Sequence, residues 1–66
     1  MLIEIARIFT FATRNRRDIV RRLMACCDSF KQISFPDALK MYCYYERQGL
    51  VVKKDGYLVI YHDCDN

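Results

Sequence analysis

Two glycines, one proline, one histidine and no tryptophan occur among the 66 residues. So few glycines leave no room for a glycine-rich phosphate-binding loop or a flexible linker, and we predict a single domain over residues 1–66. No stretch approaches the ~20 apolar residues of a membrane-spanning helix, and the opening segment, with Glu4 and Arg7, does not resemble a secretory signal. We therefore expect a cytoplasmic protein that does not enter membranes and whose cysteines are reduced.

Few residues suited to catalysis or metal binding are present. His62 is the one histidine, it stands beside Asp63 at an end that we expect to be mobile, and no nucleophile motif accompanies it. We predict that the chain is not an enzyme and uses no cofactor. A zinc site needs four converging ligands, but no Cys-x-x-Cys spacing occurs, and buried free cysteines usually act as small hydrophobes. Whether ligands converge in space stays open for Cys26, Cys27, Cys43, His62 and Cys64.

Apolar residues, at 53% of the chain, are abundant and periodic. One helical stripe predicts a helix over residues 16–30, with Asn15 as its N-cap. A second helix is predicted over 35–48, with Ser34 as N-cap, Pro36 in its first turn and Gly49 as the residue after its C-cap. The first stripe consists of Ile19, Val20, Leu23, Met24, Cys27 and Phe30.

A β-hairpin is predicted over residues 50–62, because Asp55-Gly56 suits a two-residue type I′ turn between apolar segments. This turn pairs Val52 with Val59 and leaves apolar residues on both faces of the hairpin. Residues 2–12 fit a strand by alternation or a helix by a second stripe, and their β-branched and aromatic residues favour the strand. The expected fold is α+β, with two amphipathic helices packed on a small antiparallel sheet that includes the C-terminal hairpin.

Positive charge is concentrated in the first half of the chain. Residues 1–31 carry seven basic and three acidic side chains, whereas residues 32–66 carry four basic and five acidic ones. Guanidinium groups bind phosphate and carboxylate groups in a bidentate manner, and phosphate contacts dominate non-specific affinity for nucleic acids. The cluster that we predict to bind phosphates is Arg14, Arg16, Arg17, Arg21 and Arg22, although other acidic partners or a merely solvated helix face would give the same pattern.

The segment Glu46-Arg47-Gln48-Gly49-Leu50-Val51, followed by Lys53-Lys54-Asp55-Gly56-Tyr57 and Tyr61, resembles the end of a winged-helix DNA-binding domain. The resemblance covers about the last 25 residues. It implies that Lys53 and Lys54 contact the phosphate backbone as part of the wing, and that exposed polar residues of the 35–48 helix face a groove. Such a domain also has a short helix before its recognition helix, and residues 31–34 leave no room for one unless residues 2–12 form a helix.

The leading hypothesis is therefore a small DNA-binding regulator or accessory protein, with DNA favoured over RNA. Base contacts would come from Lys40, Tyr44 or Arg47, and a homodimer is an expected form. The alternative is a non-enzymatic adaptor or inhibitor that binds a larger protein through its Tyr- and Met-rich surface, since tyrosine is enriched at interfaces. That surface would include Met41 and Tyr44, the tyrosine that we expect to be exposed.

Overall fold

The computed structural model describes residues 2–6, 15–54 and 57–62. Within these ranges the chain has an α+β fold in which helices pack on a three-stranded antiparallel sheet, as predicted. The order of elements is β1 (Leu2–Ala6), α1 (Arg16–Cys26), α2 (Asp28–Lys31), α3 (Phe35–Arg47), β2 (Val51–Lys54) and β3 (Tyr57–His62). None of the helices in these ranges is long and apolar enough to cross a membrane.

The sheet has the order β1-β3-β2, so the last strand lies between the first two. The predicted hairpin register is confirmed, because Val52 lies opposite Val59 and Val51 opposite Ile60. The strand alternative for the start of the chain is also confirmed over residues 2–6, where Leu2 lies opposite His62. The remainder of the 2–12 segment and the Asp55-Gly56 turn lie outside the described residues.

The predicted 16–30 helix is interrupted at Cys27. Cys27 is extended (φ −110°, ψ 126°), and its amide closes α1 by donating to Leu23 O at 2.7 Å. A four-residue helix, α2, then starts at Asp28. The break frees the amide of Ser29 from helical pairing, and this amide donates to the Glu4 carboxylate of β1 at 3.5 Å. The prediction of one continuous helix was therefore wrong. The break goes with a hydrogen bond from Ser29 to Glu4, 25 residues away in sequence, which the local apolar pattern does not reveal.

The ends of α1 and α3 follow the local signals in the sequence. The Asn15 side chain accepts a hydrogen bond from Arg17 N at 2.8 Å, as an N-cap does. At the end of α3, Gly49 N donates to Glu46 O and Leu50 N to Tyr45 O, which is the bonding pattern of a Schellman motif. Gly49 has φ +74°, a left-handed conformation that favours glycine. Ser34 is the N-cap residue of α3, but its side chain makes no capping bond.

The core lies between the helices and one face of the sheet. Five of the six residues of the predicted 16–30 stripe are buried, and Met24 is partly buried against them. The sheet contributes Ala6, Leu58 and Ile60, and α3 contributes Ala38 and Tyr42, both fully buried. Since strand residues alternate between faces, the other face of the sheet is turned away from the helices.

Candidate nucleic-acid interface

The arginines at the start of α1 differ in their contacts. Arg16 Nε donates to Glu46 Oε1 of α3 at 2.7 Å, and this hydrogen bond raises the pKa of Arg16. The Arg21 guanidinium lies 4.9 Å from the centre of the Phe35 ring, and Arg21 Nη1 is 3.9 Å from Asp18 Oδ1. Arg17 and Arg22 are exposed. Arg14, also predicted to bind phosphates, lies outside the described residues.

A cleft of about 590 Å³ joins three elements on the α1 side of the molecule. Its lining includes Arg16 and Arg17 of α1, Leu39, Cys43 and Glu46 of α3, and Lys53 of β2. Residues that are 36 positions apart in sequence, Arg17 and Lys53, thus surround one depression in the surface. The single carboxylate in the cleft lining, that of Glu46, is already paired with Arg16.

The predicted base-reading residues share the solvent side of α3. Lys40, Tyr44 and Arg47 are all exposed, and Tyr44 keeps 49% of its surface accessible, as expected for that tyrosine. Arg47 follows Cys43 by one helical turn, which places it on the row of α3 that borders the cleft. Asp37 is the acidic residue on the same exposed side.

The two lysines of β2 point to opposite faces of the sheet. Lys53 lies opposite the buried Leu58, so both occupy the helix side, where Lys53 reaches the cleft. Lys54 lies opposite Tyr57 on the other face. The structure therefore brings Lys53, but not Lys54, to the same cleft as the arginines of α1.

A buried polar cluster, which the sequence analysis missed, ties the two ends of the described chain together. His62 is only 5% exposed. Its Nε2 lies 2.7 Å from Glu4 Oε1, and its Nδ1 lies 3.0 Å from Tyr45 Oη. Ser29 Oγ also donates to Glu4 Oε1. The end expected to be mobile was thought to include His62, but His62 is a strand residue that pairs with Leu2 and contacts β1, α2 and α3; residues 63–66 lie outside the described residues.

These contacts lower the pKa of Glu4. Burial acts to raise the pKa of Glu4, but hydrogen bonds from Ser29 and His62 together outweigh it, and the net effect lowers the pKa of Glu4. An ionised Glu4 only accepts hydrogen bonds, so His62 Nε2–H donates to it, and the Tyr45 hydroxyl completes the cluster at Nδ1. A signal for this cluster existed in the sequence, since the alternation of residues 57–62 places His62 on the same face as Leu58 and Ile60.

The geometry of the cluster differs from that of a serine-histidine-carboxylate triad. In such a triad the serine and the carboxylate contact different ring nitrogens of the histidine. Here Ser29 Oγ and Glu4 Oε1 both lie at Nε2, at 3.2 Å and 2.7 Å. The Ser29 hydroxyl also donates its hydrogen bond to Glu4 rather than to His62. The arrangement therefore suits a structural tie between strands and helices.

The cysteines do not assemble with His62 in the described part of the chain. No group of three His, Cys, Asp or Glu residues there could hold a metal ion, and Cys64 lies outside it. Cys26 is exposed and Cys27 buried, with their Sγ atoms 3.8 Å apart. Burial raises the pKa of the Cys27 thiol to about 12, so in the metal-free chain this thiol stays protonated at neutral pH.

The comparisons with known proteins add no family to these observations: no family model, curated protein or solved structure matches the chain.

Proposed function

We propose that this chain binds double-stranded DNA through a basic surface formed by α1, α3 and β2. The observation that carries the proposal is the shared cleft, which Arg17 and Lys53 line together with Leu39, Cys43 and Glu46 of α3. Phosphate groups are bound by just such clusters of arginine and lysine. We define the basic surface as Arg17, Arg21, Lys40, Arg47 and Lys53.

The order of the elements supports this assignment. Helix α2 and helix α3 are separated by three residues, Gln32 to Ser34, a spacing typical of helix-turn-helix motifs. In these motifs the second helix enters the major groove, and α3 has a solvent side with Lys40, Tyr44 and Arg47. In such an arrangement the hairpin β2–β3 that follows α3 would serve as the wing. Helix α2, which begins after Cys27, would serve as the short helix before the recognition helix.

The number of cations sets the expected salt dependence. Five phosphate contacts give a slope of log K against log salt of roughly −4.5 for duplex DNA. Between 50 and 200 mM salt, the affinity would then fall about 500-fold. Arg16 is left out of this count because Glu46 already neutralises it.

The test is fluorescence anisotropy of a labelled DNA duplex, titrated with the chain at several salt concentrations. The double variant R17A/K53A should bind more weakly and reduce the slope by about 2, since each lost phosphate contact removes roughly one unit. Unlabelled single-stranded DNA and duplex RNA serve as competitors, and duplex DNA should compete best.

Lys31→Ala is the matched control, because it also removes a cation but lies on α2, paired with Asp28 at 3.6 Å. Its salt slope should stay within half a unit of the parent slope. An affinity that does not change between 50 and 200 mM salt, or equal losses in K31A and R17A/K53A, would contradict the proposal.

The second candidate function is binding to a larger protein through the Tyr- and Met-rich side of α3. Its support is the 49% exposure of Tyr44, which lies beside Tyr45 with ring centres 6.0 Å apart, and the half-buried Met41. Replacing Tyr44 by Ala separates the two functions. The adaptor hypothesis expects loss of a co-purifying partner with unchanged DNA affinity, whereas the DNA hypothesis expects a loss of DNA affinity.

A further inference from the structure

The face of the sheet that is turned away from the helices is apolar and largely uncovered. Ile5 is 65% exposed, Ile3 52% and Val52 39%. The pairing places these residues in two adjacent rows. Ile5, Val59 and Val52 form one row across all three strands, and Ile3 and Tyr61 form the next row, across β1 and β3. We call this surface the outer sheet face; it consists of Ile3, Ile5, Val52, Tyr57, Val59 and Tyr61, with Lys54 at one corner.

We infer that the outer sheet face binds the same face of a second copy of this chain, giving a two-fold symmetric dimer. The inference does not depend on DNA binding, because the basic surface lies on the helix side. Sheets commonly pack face to face at a separation of about 10 Å, with their side chains interdigitating. Ile3, Ile5, Val52 and Val59 provide the aliphatic centre that such packing requires.

The area of the face matches what a small dimer buries. An interface covers roughly a tenth of a small protein's surface, which for an accessible surface of 4667 Å² is about 470 Å² per subunit. Homodimer interfaces are about 65% apolar, so the apolar part would be roughly 300 Å². Ile3, Ile5 and Val52 expose 52%, 65% and 39% of their surfaces, and Tyr57, Val59 and Tyr61 are half-buried, so the face offers apolar area of this order. The area buried by the two subunits together is then below about 1,200 Å², which corresponds to weak, concentration-dependent association.

The charges on the face favour a second copy as its occupant. Lys54 is the charged residue of this face within the described strands, and it lies at a corner. Under two-fold symmetry a corner group meets its own copy only if the axis passes through that corner, so the two lysines need not oppose each other. Glu4, the carboxylate of β1, points to the opposite side and is bound to His62. Identical uncharged centres can therefore meet without burying a charge.

Sedimentation equilibrium of the purified chain without nucleic acid, from about 1 µM to 1 mM, tests the inference. The parent chain should pass from monomer to dimer within this range. Ile5→Glu should weaken dimerisation at least tenfold, because each copy would bury an unpaired carboxylate. Val52→Glu provides a second variant on another strand, and both positions are exposed enough for the monomer to fold, which far-UV circular dichroism checks.

Ala25→Glu is the matched control, since it also introduces a carboxylate at an exposed apolar position, but on α1. Its dimerisation constant should equal that of the parent chain. A parent chain that stays monomeric at 1 mM would overturn the inference, and binding of that monomer to phosphatidylcholine vesicles would then assign the face to a lipid surface. Equal weakening by A25E and I5E would overturn the inference as well.

Discussion

Replacing Glu4 by Gln should lower the free energy of unfolding at pH 7 by about 1–2 kcal/mol. The carboxylate accepts hydrogen bonds from Ser29 Oγ, Ser29 N and His62 Nε2, and its side chain is only 18% exposed. Hydrogen bonds to an ionised group contribute about 1.5–3 kcal/mol, whereas neutral ones contribute about 0.5–1.5 kcal/mol. Glutamine keeps the shape and one acceptor oxygen but not the charge. The two ranges differ by about 1–1.5 kcal/mol for one hydrogen bond, and this difference sets the scale of the expected loss.

The loss should be large relative to the total stability of so small a domain. A chain of this length has a net stability of roughly 3–5 kcal/mol, and 1 kcal/mol changes the melting temperature of a 60–100-residue domain by about 4–8 °C. Urea unfolding at pH 7 measures the free energy, and thermal unfolding should show a decrease of roughly 5–15 °C. Asp28→Asn is the control, because that side chain is 89% exposed, and exposed ion pairs contribute little.

The pH dependence gives an independent check on the same carboxylate. The pKa of Glu4 lies below its ordinary value in the folded chain, so its ionised form stabilises the fold. This contribution is complete above about pH 5 and is lost as the pH falls through the lowered pKa. The stability difference between the parent chain and E4Q should therefore be largest at neutral pH and shrink at pH 3. A difference that is absent at pH 7, or that grows in acid, would refute the reasoning.

Three further substitutions test the packing. Tyr42→Phe should leave the free energy of unfolding unchanged or raise it slightly in urea unfolding. The buried Tyr42 hydroxyl makes no hydrogen bond within the described residues, and a buried polar group without a partner costs free energy. A loss above 1 kcal/mol would instead indicate a hydrogen bond to Glu46, because burial and the charge of Glu46 both raise the pKa of Tyr42. Gly49→Ala should cost about 1 kcal/mol, since alanine strains at φ +74°, and an unchanged denaturation midpoint would contradict the assigned cap. Ala38→Leu should lower the free energy of unfolding by about 1–3 kcal/mol in the same assay, because Ala38 is fully buried and overpacking strains the core. A stabilised variant would mean that the core has room beside Ala38 for a larger side chain.

The features that could be predicted from sequence are those with local causes. The hairpin register follows from a two-residue turn, and the ends of α1 and α3 follow from Asn15 and Gly49, whose effects reach only a few residues. The break at Cys27 could not be predicted, because the apolar stripe continues through it to Phe30. What favours the break is the carboxylate of Glu4, brought near Ser29 by the pairing of β1 with β3.

The candidate site also combines features with local causes, which could be predicted, and features set by long-range contacts, which could not. Exposure of Lys40, Tyr44 and Arg47 follows from helical periodicity and was within reach of the sequence. The pairing of Arg16 with Glu46 joins residues 30 positions apart, and the cleft shared by Arg17 and Lys53 depends on how β2 packs beside α3. Such long-range placements are set by tertiary packing, on which residue periodicity within one element carries no information.

The pairing of β1 with β3 has a consequence for how the chain acquires its structure. Leu2 and His62 are partners in the sheet, and β3 is the central strand on which both β1 and β2 depend. Pairing β1 with β3 closes the intervening chain into a long loop, and this closure costs entropy before any contact of the sheet offsets it. During synthesis, β1 therefore has no neighbour until residues 57–62 have left the ribosome, and Glu4 has no histidine to bind. Folding of the sheet must therefore be a late and cooperative event that follows the synthesis of β3.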